Sequence, residues 1–420
     1  MAAVTKKKVS TNTCRSSSYI PDDIALSILS KLPLKSLTRF TCVQKSWSLL
    51  LQNLNFMDMF RTNFFISKHP DDDEDTTRLL LKQTTRMIPI HDSLCILSGD
   101  SFEDRVRLDW PPPFLENDSD IDILGSSSVN GIFCLFNGYG NETVLWNPAT
   151  EEFKIIPPSY EPYDNNYEPA GFCYDCIRDD YKVIRFAPCY QVFEGSWVWL
   201  PDKDCHLWES NELLDEVLED DYEFWDGFKI DMYDEYWEIY SLRSNSWRKL
   251  DGVDLPDSWG SSTSRNVNLN GFCHWYNYRN NIVSFDFRNE TFFTTTLPSD
   301  LGKQIELQEK QLLELNGSIS LICNFKTKDF FDIWILGELG VKESWAKFFV
   351  VGPLTCSVMR PIGAGKKRFI FFRKKYDDEL AWYDFSTQRI SEIGAKGELL
   401  SLKIVTYKEN LVPFREMINQ

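Results

Sequence analysis

The chain has 420 residues, with 63 acidic against 45 basic side chains, a formal net charge of −18, and a composition that is 43% hydrophobic and 15% aromatic. It is too apolar to be disordered and long enough for two or three domains. The negative balance excludes nucleic acid or an anionic membrane as a general partner, because phosphates would repel it.

Residues 1–18 are rich in Lys, Ser and Thr, with Lys6, Lys7 and Lys8 as their one charge cluster, and read as a disordered tail. The next segment, Tyr19 to Leu51, is helical in pattern. Pro21 suits a first helical turn, and Asp22 and Asp23 suit the positive end of the helix dipole. Ile24, Ile28 and Leu32 recur every four residues with Leu29 beside them, which gives one apolar face. Pro33 ends that helix, because the residue before a proline is driven out of the α region. A second short helix is expected from about Lys35, carrying Leu37, Phe40 and Val43. A third is expected after Cys42, holding Trp47, Leu50 and Leu51. Three such helices cannot bury all their apolar surface against one another, so the segment reads as a docking module.

In order and without gaps, Ile20-Pro21-Asp22-Asp23, Ile28-Leu29, Leu32-Pro33, Lys35-Ser36-Leu37, Arg39-Phe40, Cys42-Val43 and Lys45-Ser46-Trp47 resemble an F-box of the plant type. The family more often has leucine at the position of Ile20 and glutamate at that of Asp23. The resemblance implies docking on the Skp adaptor of a cullin–RING ubiquitin ligase. The set implied to face the adaptor or define the module is Pro21, Ile24, Ile28, Leu29, Leu32, Pro33, Leu37, Val43 and Trp47. Ile28, Leu29 and Leu32 are expected as apolar knobs, and Trp47 as a residue that holds the module together.

Residues 61–125, after this module (19–60), read as a connecting region and the first propeller strands, the first part of the large domain and not a free linker. They contain the first strand-like runs, Arg78 to Leu81 and Leu94 to Leu97, between an acidic loop at 71–75 and a stop at Pro111, Pro112 and Pro113. From about 126 the chain turns β-branched and aromatic. Asn130-Gly131, Asn270-Gly271 and Asn316-Gly317 each precede an apolar run, a tight-hairpin signal. A strand closing on an aromatic, then a polar turn, then a further aromatic or aliphatic recurs around Trp146, Tyr240, Phe285, Trp334 and Tyr383. The last four markers lie 45, 49 and 49 residues apart, the period of a four-stranded propeller blade. The step from 146 to 240 is 94, so a degenerate blade or a long insertion lies between.

The strand pair containing Phe172, Tyr174, Asp175, Asp180, Tyr181, Lys182 and Val183, with the turn Asn147-Pro148-Ala149-Thr150, resembles the F-box-associated β-propeller, a kelch-like domain. The expected architecture is a small all-α F-box module followed by an all-β kelch-like propeller over 126–410. An insertion at 202–238 is dominated by Asp and Glu, with Trp208, Trp225, Tyr233, Tyr236 and Trp237 interleaved. It is either a solvated loop or a recognition surface for a basic partner, with Trp208, Trp225, Tyr236 and Trp237 as anchors.

Catalytic and metal chemistry finds little support. Cys173 and Cys176 make one CxxC pair where a structural zinc needs four ligands. Four histidines are thin material for a triad or a metal cage. Gly363-Ala364-Gly365-Lys366 lacks the P-loop pattern, with Arg360 in place of the first glycine and Lys367 in place of Ser or Thr. The 11 cysteines are odd in number with no apolar leader before them, so free thiols in a reducing compartment are expected, and no apolar run reaches bilayer length. The resulting expectation is a cytoplasmic or nuclear, non-catalytic subunit without cofactor or metal. It would recognise a protein target for a Skp–cullin–F-box ligase. The alternatives are a propeller interaction protein acting outside a ligase, or a propeller enzyme.

Overall fold

The computed structural model describes residues 20–412, apart from 44–46, 67–76, 86–90, 100, 115–120, 138–141, 160–168, 188–189, 194–195, 200–235, 252–265, 278–280, 299–300, 302–306, 326–329, 353–357, 366–368, 375–378 and 397–401. The chain divides into two compact units, Met1–Ser67 and Lys68–Gln420.

In the first unit, α1 (Asp22–Leu29) starts behind Pro21, whose extended backbone precedes the two aspartates of the first turn. α2 (Leu34–Phe40) starts directly behind Pro33, one residue earlier than the sequence suggested. The expected third helix around Trp47 is reduced, among the described residues, to a short 3-10 turn over Leu50–Gln52. The long helix comes later, as α3 (Leu54–Ile66), and runs past residue 60. It begins where Asn53 Oδ1 accepts from the Phe56 amide at 3.1 Å, an N-cap bond that meets an otherwise unpaired donor. Asn63 Nδ2 donates to Ser30 Oγ at 2.8 Å and ties α3 to the end of α1. Leu29, Leu34, Leu37, Leu50, Phe56, Met57 and Phe60 are buried, each contributing about 1.5–3 kcal/mol on full burial.

The second unit is a ring of six four-stranded antiparallel sheets. The first sheet holds β1 (Thr77–Thr85), β2 (His91–Ser98) and β3 (Asp104–Leu108). The second is β4 (Ile121–Ile123), β5 (Phe133–Asn137), β6 (Thr143–Asn147) and β7 (Glu152–Ile155). The third begins with β8 (Pro169–Asp175) and β9 (Asp180–Ala187). After a separate two-stranded hairpin, β10 (Tyr190–Phe193) and β11 (Ser196–Trp199), it resumes with β12 (Tyr236–Ser241) and β13 (Ser246–Lys249). The fourth sheet comprises β14 (Val267–Leu269), β15 (Phe272–Tyr276), β16 (Asn281–Asp286) and β17 (Thr291–Thr296). The fifth comprises β18 (Leu307–Leu315), β19 (Ser318–Phe325), β20 (Phe331–Leu336) and β21 (Trp345–Val351). The sixth comprises β22 (Val358–Ala364), β23 (Phe369–Lys374), β24 (Glu379–Asp384) and β25 (Arg389–Lys396).

The ring is closed by β26 (Lys403–Lys408), which pairs with β1, Leu80 facing Val405 and Leu81 facing Ile404. The propeller begins at Thr77, within the stretch expected to hold its first strands, and its first sheet borrows its innermost strand from the far end of the chain. The 94-residue step is an insertion between β9 and β12 and not a lost blade. Residues 236–238 of the expected acidic insertion belong to β12 itself.

Turn chemistry follows the sequence. Asn130, Asn270 and Asn316 have φ of 50°, 53° and 47°, and the glycines after them 81°, 85° and 69°. Two successive positive φ values make the turn that matches strand twist, which is why Asn-Gly stands there. Third and fourth strands join through turns with Glu151, Asn245, Glu290 and Gln388 at positive φ. In three of these turns an opening side chain accepts from a backbone amide two residues on: Asn147 from Ala149 at 3.0 Å, Asp286 from Arg288 at 2.9 Å and Asp384 from Ser386 at 2.8 Å. Between sheets the core is aromatic: Trp237 packs against Trp275, Phe186 and Phe292 at centroid distances of 5.4, 5.4 and 4.9 Å.

Candidate functional site

In the helical unit, Ile24 and Ile28 stand one turn apart on α1 and are 50% and 54% exposed. Ile20, Val43, Leu49 and Leu54 are also exposed, Val43 at 71%. Six large aliphatic side chains thus stand on the outside of this one small unit. Pro21 and Pro33 are exposed at the starts of α1 and α2, and Leu32 is half-buried. Leu29, expected as an outward knob, is only 5% exposed, and Leu37 is fully buried. Both belong to the core, because α1 turns Leu29 about 100° away from Ile28. Trp47 is half-buried and packs edge-on against Phe40 at 6.0 Å, which fits a holding role. Ile20, Leu49 and Leu54 were absent from the expected face; Leu49 and Leu54 flank a turn, where helical periodicity carries no signal.

Of the four aromatics expected to meet a target, Trp208 and Trp225 lie outside the described residues. Tyr236 is half-buried, with Lys249 Nζ 4.1 Å above its ring. Trp237 is 1% exposed and stacked on Trp275, so it is a core residue and touches no partner. Strand alternation decides this: in β12, Trp237 and Ile239 point into the same intersheet cluster.

The strand pair β8–β9 carries a buried ionic bracket. Lys182 Nζ donates to Asp175 Oδ2 at 2.8 Å and to Glu290 Oε1 at 2.9 Å, joining the third sheet to the turn between β16 and β17 of the fourth. Arg178 adds a second cation to Asp175 at 2.8 Å and also donates to the Arg288 carbonyl at 2.7 Å. Burial alone would raise the Asp175 carboxyl, but the bonds from Lys182 and Arg178 outweigh it and hold it down at about 2. Arg248 completes the bracket on the other oxygen of Glu290.

Around the ring axis, the turns after β4, β8, β14 and β18 and the ends of β22 and β26 enclose a funnel of about 980 Å³. Its wall mixes polar and apolar groups, with Ser126, Asn130, Asn270 and Asn316 beside Val129, Leu269 and Leu313. The two glycines of the P-loop-like run have structural work there. A Cβ on Gly363 would run into the Ile404 carbonyl of β26, and one on Gly365 would stand 2.8 Å from the Phe371 ring.

Cys173 and Cys176 do not form a metal pair. Cys173 is buried, and burial pushes its thiol up to about 12, while Cys176 is exposed. Among the described residues no cluster of metal-ligating side chains occurs, and no helix is long and apolar enough to cross a membrane.

Residues 86–414 match the family described as the F-box associated beta propeller domain. F-box protein CPR1 of Arabidopsis thaliana is 23% identical over 414 aligned residues, covering 90% of this chain and 84% of its own. An F-box/kelch-repeat protein of the same plant is 23% identical over 349 residues, covering 82% of each chain.

Proposed function

Because the chain belongs to the F-box associated beta propeller family, we propose that its helical unit is an F-box and that the protein recognises substrates for a Skp–cullin–F-box ubiquitin ligase. The exposed aliphatic group on the helical unit carries this reading. Ile24 and Ile28, with Val43, offer a small apolar surface whose burial on an adaptor contributes up to about 1.5–3 kcal/mol per side chain. The core beneath it, Leu29, Leu34 and Leu37, holds that surface in place without taking part in the contact.

The work of such a protein is proximity. The adaptor holds the helical unit, the propeller holds a target, and the ligase's other subunits deliver ubiquitin to a lysine kept nearby at high effective concentration. No side chain of this chain takes part in the transfer. Cytoplasm and nucleus, where such ligases meet their targets, are the proposed compartments.

The test is co-purification of the full chain with a Skp-type adaptor. Wild type is expected to hold the adaptor and I24D/I28D to lose it while both propellers melt alike. Retention by I24D/I28D would sink the assignment. Leu29→Asp is a poor test, because a buried charge unfolds the unit whatever its surface does.

A further inference from the structure

We propose that the cleft between the third and fourth sheets receives one anionic side chain of a target, a carboxylate or a phosphoryl group, held by Arg178, Arg243 and Arg248. The proposal deepens the substrate-recognition reading and rests on it.

The cleft has a volume of about 290 Å³ and is lined by Arg178, Ser241, Ser244, Arg248 and Glu290, with the nearly buried Lys182 among them. Its arginines are anchored by the fold and open to solvent at the same time. Arg178 places Nη1 on Asp175 Oδ2 at 2.8 Å and on the Arg288 carbonyl at 2.7 Å, yet its side chain is 53% exposed. Arg248 reaches Glu290 Oε2 through Nη2 and is 54% exposed. Arg243, exposed on the turn between β12 and β13, donates Nη1 to the Arg178 carbonyl at 2.9 Å. A guanidinium carries five N–H donors in a planar fork. Among the described residues, the Nε and Nη2 donors of Arg178 and Arg243 and the Nε and Nη1 donors of Arg248 meet no acceptor.

The carboxylates of the cluster lie deeper and are already satisfied. Asp175 is wholly buried under Lys182 and Arg178. Asp180, also buried, accepts from Ser241 Oγ at 2.6 Å and from the Arg243 amide at 2.9 Å. Glu290 has one oxygen on Lys182 and the other on Arg248. Asp179, next in the β8–β9 turn, accepts from Tyr174 and lines the funnel. Negative charge thus points inward and positive charge outward, on a chain whose total is −18. Arg178, Lys182, Arg243 and Arg248 outnumber Asp175, Asp180 and Glu290, which leaves a positive surplus for an incoming anion to neutralise. The planar fork matches the oxygens of a carboxylate or a phosphoryl group. Since backbone carbonyls and buried carboxylates already hold the arginines, little side-chain freedom is left to lose on binding. The volume admits one side chain and not a strand of phosphates.

The test uses the full chain in saturation-transfer NMR titrations with three capped glycine pentapeptides, whose central residue is phosphoserine, glutamate or serine. Wild type is expected to bind at least one anionic peptide about tenfold or more tightly than the serine peptide, the worth of one charge-assisted hydrogen bond. Comparison of the two anionic peptides tells phosphoryl from carboxylate. R243A/R248A is expected to lose that margin. R243A, whose side chain makes a single bond within the fold, is expected to fall between, and it reads the same contact should the double variant not fold. R389A, which removes an exposed arginine at the start of β25 in the sixth sheet, is expected to keep the full margin. Equal binding of all three peptides by wild type, an unchanged margin in the Arg243 variants, or an equal loss in R389A would each overturn the proposal. Adaptor capture is read on the same samples. Its failure in wild type would sink the ligase reading without touching the cleft, and its survival beside failed peptides would do the reverse.

Discussion

Replacing Lys182 by methionine removes the cation at the centre of the bracket between the third and fourth sheets. Lys182 is 4% exposed and Asp175 wholly buried, so the substitution strands a carboxylate that water cannot reach. Breaking a buried pair from one side costs about 3–5 kcal/mol. Arg178, still 2.8 Å from Asp175, offsets part of this, which sets the expected loss near the lower bound, about 3 kcal/mol. For a unit of this size that is a fall of about 4 °C in melting temperature. Tryptophan fluorescence on heating reads it directly. The double variant K182M/D175N, with no charge left stranded, should recover part of the loss. Acid supplies an independent check. Asp175 titrates at about 2 in the fold against 3.8 as its ordinary value, so the folded state is favoured above pH 4. About 2 kcal/mol of that advantage disappears as pH falls from 4 to 2, and D175N should lack this component. A K182M protein as stable as wild type, or a double variant no better than K182M, would refute the reasoning.

Trp237→Ala should cost about 3–5 kcal/mol by denaturant titration, because the ring is 1% exposed and stacked on Trp275. A small effect would mean that the third and fourth sheets are not packed as described. His274 is buried against Ser284 Oγ at 2.7 Å, and burial pushes its imidazole down to about 3. The unfolded chain therefore takes up a proton near pH 6.5 that the fold refuses, and stability falls by about 1.4 kcal/mol for each pH unit below that. His274→Asn should flatten the dependence of melting temperature on pH between 6.5 and 5, a comparison that differential scanning fluorimetry makes directly. Gly363→Ala drives a methyl group into the Ile404 carbonyl, so faster amide exchange is expected in β26 and β1, with the sixth sheet's outer strands unchanged.

The sequence announces some of this fold because local chemistry repeats in it. Asn130-Gly131, Asn270-Gly271 and Asn316-Gly317 could be placed as tight turns since two positive φ values leave few other residues available. Trp146, Tyr240, Phe285, Trp334 and Tyr383 all sit on the third strand of their sheets, so their spacing reported the blade period. The first sheet escaped that ruler for a reason. Its third strand is β2, whose Leu94, Ile96 and Leu97 supply the core with no aromatic among them, and its innermost strand lies some 300 residues away in the sequence. Long-range pairing of that kind leaves no local mark.

The sites were less legible than the fold. Ile28 and Leu29 look alike as letters, and only the helix rotation separates an exposed residue from a core residue. Trp237, read with Trp208 and Trp225 as part of an acidic run, lies inside strand β12.

The closing strand also imposes an order of events on synthesis. The helical unit can be complete and its aliphatic face presented while most of the ring is still to be made. The funnel cannot exist until residues 403–412 have joined β1, since they supply one side of its wall. A chain interrupted before that point would keep the helical unit whole and leave the ring open. The two units therefore differ in how much of the chain must exist before each can fold: the first needs only its own residues, the second needs both of its ends.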